Sequence, residues 1–354
     1  MGGRRRRLDP DGVVTVGFAV VGADHLHLFT LVGGLVAAGA QPVAHVRSGD
    51  LIGGYEGWQP TSQARDLAEV LADDAVDLVV TVGVPADRAT VAIAALEAGK
   101  AVLSAKPGVT TRADLDRIRT LVADRPGRPW TVLFSERFEN RAVARAVDLA
   151  RSGAVGRIVH VTGTGPHALH GDLRPDWFWD PARSGGILVD LASHQVDQFV
   201  AICGDPAAGG HAGVALAGSR VGNVACPDRP AMQDVGSITL VGGGAVGDHR
   251  VDLLSPAGLP TWGDVRLTIV GTEGTLEVRA NIDVAGEPGA EHLIVIDGEG
   301  VRRVDVSGDP LPWAEHLLAD LADDGERLFT QDHVLAVCDL TLQAQEQARP
   351  WGTP

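Results

Sequence analysis

Asp190, His194 and Asp197 stand in one run, Gly185-Gly186-Ile187-Leu188-Val189-Asp190-Leu191-Ala192-Ser193-His194-Gln195-Val196-Asp197. No Pro or Gly interrupts residues 187 to 203, so the stretch predicts a helix. At about 100° per residue the three polar side chains fall within roughly 60° of one another. Leu188, Leu191, Phe199 and Ile202 take other bearings. Such a stripe on an apolar helix calls for a polar cavity to face. A carboxylate four residues before an imidazole is an acid/base pair: the carboxylate fixes the ring's tautomer and the ring moves a proton. A second reactive group, Lys106, follows the apolar run Ala101 to Ser104 and precedes Pro107-Gly108. A salt-linked surface helix and a surface lysine before a turn are the plainer readings. The elements around these residues decide between them.

Those elements fall into two series. From residue 14 to about 135, strands and helices alternate. Thr15 to Val21 is a β-rich run that ends in Gly22-Ala23-Asp24-His25, a helix follows to Ala38, and Pro42 to Val46 is a second strand. Strand, glycine turn, helix and strand make a βαβ unit, which forms parallel sheets with ligands at the strands' carboxyl ends. Helix 64–71, strand 76–82, helix 86–98, strand 101–104, helix 111–123 and strand 130–134 continue it. The expectation for 14–136 is a doubly wound parallel-sheet (Rossmann) domain.

Beyond residue 136 the rhythm changes. A helix spans 141–151, a strand 157–164, and a polar, aromatic loop runs from Pro166 to Ser184 before the Asp190/His194 helix. Short strands follow at 237–241, 250–254, 266–270, 276–279, 293–297 and 302–306, then helices at about 313–323 and 331–348. Residues 137–354 are therefore expected to form an α+β domain with a largely antiparallel sheet, for substrate binding and oligomerisation. Residues 1–13, with Arg4 to Arg7, read as a disordered, solvated tail.

Composition narrows the function. The 354 residues carry 46 Asp and Glu against 30 Lys and Arg, a net charge of −16, which argues against a nucleic-acid binder. No apolar segment follows the basic run as in a signal peptide, and Leu28 to Ala40 is too short to span a bilayer. Cys203, Cys226 and Cys338 are far apart, with no C-x-x-C, so a cytoplasmic protein without disulfides is expected.

The turn after the first strand keeps only the first glycine of G-x-G-x-x-G; Gly22, Asp24 and His27 take the three positions. Past the second strand, where NAD enzymes place an acid for the ribose 2′-hydroxyl, stand Arg47 and Ser48. An Arg there suits the 2′-phosphate of NADP, which an acid would repel. A surface Arg is the alternative. The loop from Gly165 to Trp179 mixes hydrogen-bonding groups with flat rings, as carbohydrate sites do; His167, Arg174 and Trp177 are its candidate substrate contacts. A metal bound by His167, His170, Asp190 and His194 is the less favoured reading, because Gly and Pro make this segment a loop, and no metal is expected.

Ala95-Leu96-Glu97-Ala98-Gly99-Lys100-Ala101-Val102-Leu103, Lys106-Pro107, the Gly-Gly-x-Leu-x-Asp-x-x-x-His-x-x-Asp run at 185–197 and Ile269-Val270-Gly271-Thr272-Glu273-Gly274-Thr275-Leu276 together resemble the Gfo/Idh/MocA oxidoreductases over nearly the whole chain after residue 14. The resemblance implies a hydride transfer between a nicotinamide cofactor, NADP with NAD also possible, and a sugar, inositol or related polyol. It implies catalytic roles for Lys106, Asp190 and His194, with Asp190 and His194 also touching substrate. The cofactor would meet Gly22, Ala23, Asp24, His25, Arg47, Ser48, Gly83, Val84, Arg88 and Lys106. Ala105 stands where the family usually has Glu, and Arg88 where a His commonly follows Pro85. A lyase or glycoside-cleaving enzyme that recycles its bound nucleotide, and a non-catalytic nucleotide-binding protein, are the alternatives. A homodimer or homotetramer is the expected assembly, with no membrane and no nucleic-acid partner.

Overall fold

The structure, a computed structural model, describes residues 15–124, 127, 129–205 and 213–352. The expected tail at 1–13 lies outside them. The chain divides into two compact units: Met1–Leu133 with Pro312–Val334, and Phe134–Leu311 with Leu335–Pro354.

The first unit holds β1 (Gly17–Ala23), α1 (His27–Ala37), β2 (Gln41–His45), α2 (Ile52–Trp58), β3 (Gln63–Ala64), α3 (Leu67–Ala72), β4 (Leu78–Val82), α4 (Pro85–Glu97), β5 (Ala101–Ala105), α5 (Arg112–Ala123) and β6 (Trp130–Leu133). Its six strands are ordered β3-β2-β1-β4-β5-β6 and every pairing is parallel. All five residues of β4 and of β5 are buried, and all but Thr81 and Ser104 are apolar, as expected of strands covered on both faces. The order reverses between β1 and β4, and open α/β sheets bind ligands at such a switch point.

The expected boundary at 136/137, with everything beyond it in the second domain, needs correction, because residues 312–334 return to the first unit. The helix Trp313–Asp323 buries Trp313, Ala314, Leu317 and Leu321. It packs where α1 has no side chain: a Cβ on Gly34 would collide with the Trp313 ring. The Gln331 side chain then accepts from the Trp130 amide and donates to its carbonyl, both at 3.0 Å. Edge strand β6 thereby gains partners for polar backbone atoms that have no neighbouring strand.

The second unit opens with α6 (Ser135–Phe138), α7 (Arg141–Arg151) and β7 (Ile158–Pro166). After α8 (Pro181–Ser184) comes a single π-helical turn, Leu188–Ala192, that runs directly into α9 (Ser193–Cys203). Strands β8 (Ala215–Gly222), β9 (Val235–Gly242), β10 (Ala245–Asp252), β11 (Arg266–Gly271), β12 (Gly274–Arg279), β13 (His292–Asp297), β14 (Gly300–Val304) and β15 (Arg349–Pro350) complete a nine-stranded sheet ordered β14-β13-β12-β11-β7-β10-β9-β8-β15. Only the β10–β7 and β15–β8 pairings are parallel. α7 buries Ala142, Val143, Ala146, Val147 and Ala150, and Asn140 caps it by accepting from the Val143 amide at 3.0 Å. Among the described residues, no helix is long and apolar enough to cross a membrane.

Candidate active site

In the first unit, the expected cofactor residues collect at the carboxyl ends of β1, β2, β4 and β5. Gly22 has φ +80°, and a Cβ there would sit 2.8 Å from the Gly83 Cα. Only glycine lets the β1 turn pass this close to the end of β4. The loop after β2 folds back onto the same turn: the Leu51 amide donates to the Ala23 carbonyl at 2.8 Å, and Gly49 (φ +97°) lies so near Ala23 that a Cβ would collide with its backbone. Gly49 was not among the residues expected from sequence, although Ser48-Gly49-Asp50 carries a turn signal.

Asp24, which replaces the second glycine of the fingerprint, accepts the Asp50 backbone N–H. Burial pushes its carboxyl above the usual range, and the Asp50 and Asp87 carboxylates push the same way. Its carboxylate thus has a backbone partner in the loop after β2. The His27 amide donates to His25 Nδ1 at 3.2 Å, and the first turn of α1 holds no acidic residue. What suits a dinucleotide here is the close backbone approach of Gly22 to Gly83 at the switch point, because the amides of His27, Leu28 and Phe29 in the first turn of α1 are already taken by His25 and Leu26. Gly22 and Gly83, with Ala23, His25 and Val84 next to them in sequence, are the candidate nucleotide contacts.

Arg88 is fully buried. Its guanidinium donates to the carbonyls of Gly83 (2.7 Å), Ala105 (3.2 Å), Lys106 (2.6 Å) and Pro107 (3.1 Å). The side chain expected to meet the cofactor instead braces the turn that carries Lys106 against the end of β4. Lys106 itself is 4 % exposed and precedes a cis peptide bond to Pro107. Arg47 is exposed, and its Nε donates to Glu56 Oε1 at 2.7 Å.

In the second unit, the regular helix expected over 187–203 is replaced by the π-turn followed by α9. Single π-turns recur at functional sites. This one starts at two glycines with positive φ, Gly185 (+91°) and Gly186 (+82°). Gln233 Oε1 accepts from the Ile187 amide (3.0 Å) and Gln345 Oε1 from the Leu188 amide (3.2 Å), while Gln345 Nε2 donates to Gln233 Oε1 (3.0 Å). Two distant glutamines thus hold the free amides of the turn that presents Asp190.

The stripe itself divides. Asp197 has no exposure, and its two oxygens accept from Arg137 Nε and Nη2 at 2.7 and 2.6 Å. It is half of a bidentate buried ion pair, which corrects the expectation that it faces a polar cavity. Asp190 is half-buried and lines a cleft of about 320 Å³, counting its open mouth, with Phe178, Trp179, Met232 and Gln233 among the walls. His194, one helical turn on, is buried.

Of the expected substrate loop, Arg174 donates to the carbonyls of Leu169 (2.8 Å) and Ala168 (3.3 Å) and lies 4.3 Å over the Phe178 ring. Burial lowers its guanidinium's pKa, and the Asp190 charge acts in the opposite direction. His167 Nδ1 is 3.0 Å from the Gly165 carbonyl, and its ring packs against Trp262. The aromatic wall of the cleft is Phe178 and Trp179, the neighbours of the expected Trp177. Among the described residues, no group of three or more His, Cys, Asp or Glu is placed to hold a metal.

A parallel sheet with its switch point beside Gly22 and Gly83, joined in one chain to a mixed sheet that carries an Asp/His helix, defines a Rossmann-type oxidoreductase. A model of the GFO/IDH/MocA C-terminal domain matches residues 143–277. The crystal structure of a protein from Erwinia carotovora atroseptica, provisionally classed as an oxidoreductase, is 31% identical with a TM-score of 0.89, over 95% of this chain and 100% of that one. Inositol 2-dehydrogenase 1 of Saccharopolyspora erythraea is 32% identical over 189 residues, 52% of this chain and 52% of that protein, so the match spans about half the length of this curated relative. Levoglucosan dehydrogenase in complex with NADH and levoglucosan shares the fold at 17% identity and a TM-score of 0.76, over 94% and 97% of the two chains. The chain belongs to the Gfo/Idh/MocA oxidoreductases.

Proposed function

We propose that the protein is a nicotinamide-dependent dehydrogenase that oxidises a secondary hydroxyl of a sugar, inositol or related polyol, or reduces the matching ketone. The observation that carries this reading is the π-turn, which sets Asp190 in a cleft walled by Phe178 and Trp179 with His194 one turn away. Flat rings beside a carboxylate suit a ligand that has both C–H faces and hydroxyls. The bound nicotinamide supplies the hydride acceptor or donor. His194 takes the hydroxyl proton during oxidation and returns it during reduction. Asp190 orients the imidazole and stabilises its charged form. Lys106, braced through its own carbonyl by Arg88, donates a hydrogen bond to the reacting oxygen and stabilises its developing negative charge.

For the cofactor, Arg47 and Ser48 favour NADP, with NAD also accepted. The names of the relatives support the class: one is an inositol dehydrogenase, and another was crystallised with NADH and levoglucosan. The test is a screen of inositols, sugars and their keto derivatives with each nucleotide, read as net formation or loss of reduced nicotinamide. A dehydrogenase gives stoichiometric reduced nicotinamide. Product without net change in the nucleotide would move the protein to the lyase reading, and no turnover with any member would leave a nucleotide-binding protein.

A further inference from the structure

We infer that Glu56, on α2, is a selectivity residue that restrains binding of the 2′-phosphate and so sets the balance between NADP and NAD. The inference rests on the nucleotide-binding reading above. Its basis is a chain of hydrogen bonds that leads from the core of the first unit to the end of β2. Tyr55, without exposure, donates from Oη to Ser62 Oγ at 3.2 Å. Ser62 Oγ lies 3.0 Å from His45 Nδ1, and His45 Nε2 lies 2.9 Å from Glu56 Oε1. An ionised carboxylate only accepts, so the proton in that last bond sits on Nε2. The same Oε1 also accepts from Arg47 Nε at 2.7 Å. Arg47 first, then His45, hold the Glu56 carboxyl below its usual range.

Glu56 is therefore ionised and fixed by a buried histidine, while its cation partner is mostly exposed, at 71 % of its side chain. An incoming 2′-phosphate meets a neutral pair rather than a free guanidinium. It also meets an Arg47 whose Nε is already engaged, so the Nε/Nη fork that best clasps a phosphate is closed. The ribose of NAD brings a neutral hydroxyl, which a nearby carboxylate does not repel and can bind. The two cofactors thus feel the Glu56 charge with opposite consequences. Removing that charge while keeping the side chain's shape isolates its effect.

The experiment compares wild type with Glu56→Gln by calorimetric titration with adenosine 2′,5′-bisphosphate and with 5′-AMP, which differ only in the 2′-phosphate. NADP and NAD are titrated in parallel. A carboxylate within a few ångströms of a dianion, in partly screened surroundings, is worth about a tenfold change in affinity. Glu56→Gln should bind the bisphosphate and NADP about tenfold more tightly, with 5′-AMP and NAD unchanged or weaker. Arg47→Ala should lose affinity for the bisphosphate alone, which checks that the phosphate reaches this corner. An unchanged ratio in Glu56→Gln, or weaker bisphosphate binding, overturns the inference, the latter because Glu56 would then be serving to orient Arg47 for phosphate. Failure of all four ligands to bind folded wild type would overturn the nucleotide-binding reading itself, and this inference with it.

Discussion

The second unit buries two histidines, His194 and His249, in different settings. His249, on β10, is buried beside Phe199, with ring centroids 5.8 Å apart. Space for it comes from Gly163 and Gly247, where a Cβ would sit 2.7 Å from one or other of its ring nitrogens. Burial lowers its pKa to about 4 from an ordinary 6.5. The unfolded chain then takes up the proton first, so the full contribution to stability is present above about pH 6.5 and is lost as the pH falls toward 4. The shift corresponds to about 3 kcal/mol over that window. Denaturant melts from pH 7 to pH 4 should show wild type losing about that much more stability than His249→Asn, whose side chain does not titrate. Parallel pH profiles for the two proteins would contradict this account of His249. His194 is the histidine to which the proposed function gives the substrate proton.

At the scale of elements, the π-turn shows what a side chain 46 or 157 residues away can do to local structure. Gln233 and Gln345, at those separations, take the amides that a regular helix start leaves open. Gly186 gives them room: its φ is +82°, and a Cβ there would lie 2.7 Å from the Gln345 side chain and 2.8 Å from Gln233 Oε1. Gly186→Ala should displace both glutamines and, with them, Asp190. The expected result is a loss of stability of about 1–3 kcal/mol in melting experiments and a fall in turnover, with nucleotide affinity in the first unit unchanged. Wild-type turnover in this variant would mean that the π-turn does not set the position of Asp190. The run Gly-Gly-x-Leu-x-Asp-x-x-x-His was visible in the sequence, but the π-turn was not, because its cause lies outside the run. Helices such as α7 and strands such as β4 were legible because their periodicity or apolar continuity is local. α2 was not, since Gly53, Gly54 and Gly57 disguise a seven-residue helix, and Glu56 was missed with it. β10 was placed at 250–254 rather than from Ala245 because Gly247 reads as a turn, whereas it clears space for Phe199 and His249.

For the whole molecule, the α/β rhythm of the first 135 residues and the strand-rich stretch after it made both sheets legible. The return of residues 312–334 to the first unit was not, because the features that receive it are a missing side chain at Gly34 and backbone groups on edge strand β6. The candidate site followed the same division. Lys106, Asp190 and His194 stood out by residue type and spacing, whereas Arg88, which ties down the Lys106 turn, and the Arg137–Asp197 pair acquire their roles only through folding. The central claim is that one chain binds a nicotinamide nucleotide and moves a substrate proton through His194. Its most direct test is His194→Ala, assayed for reduced nicotinamide with a substrate found in the screen, at saturating nucleotide. The account predicts turnover lower by ~10²–10⁴-fold, the usual worth of a positioned acid/base group, with nucleotide affinity preserved in a direct titration. Turnover within a few-fold of wild type would contradict it and pass the proton to another group, Lys106 first.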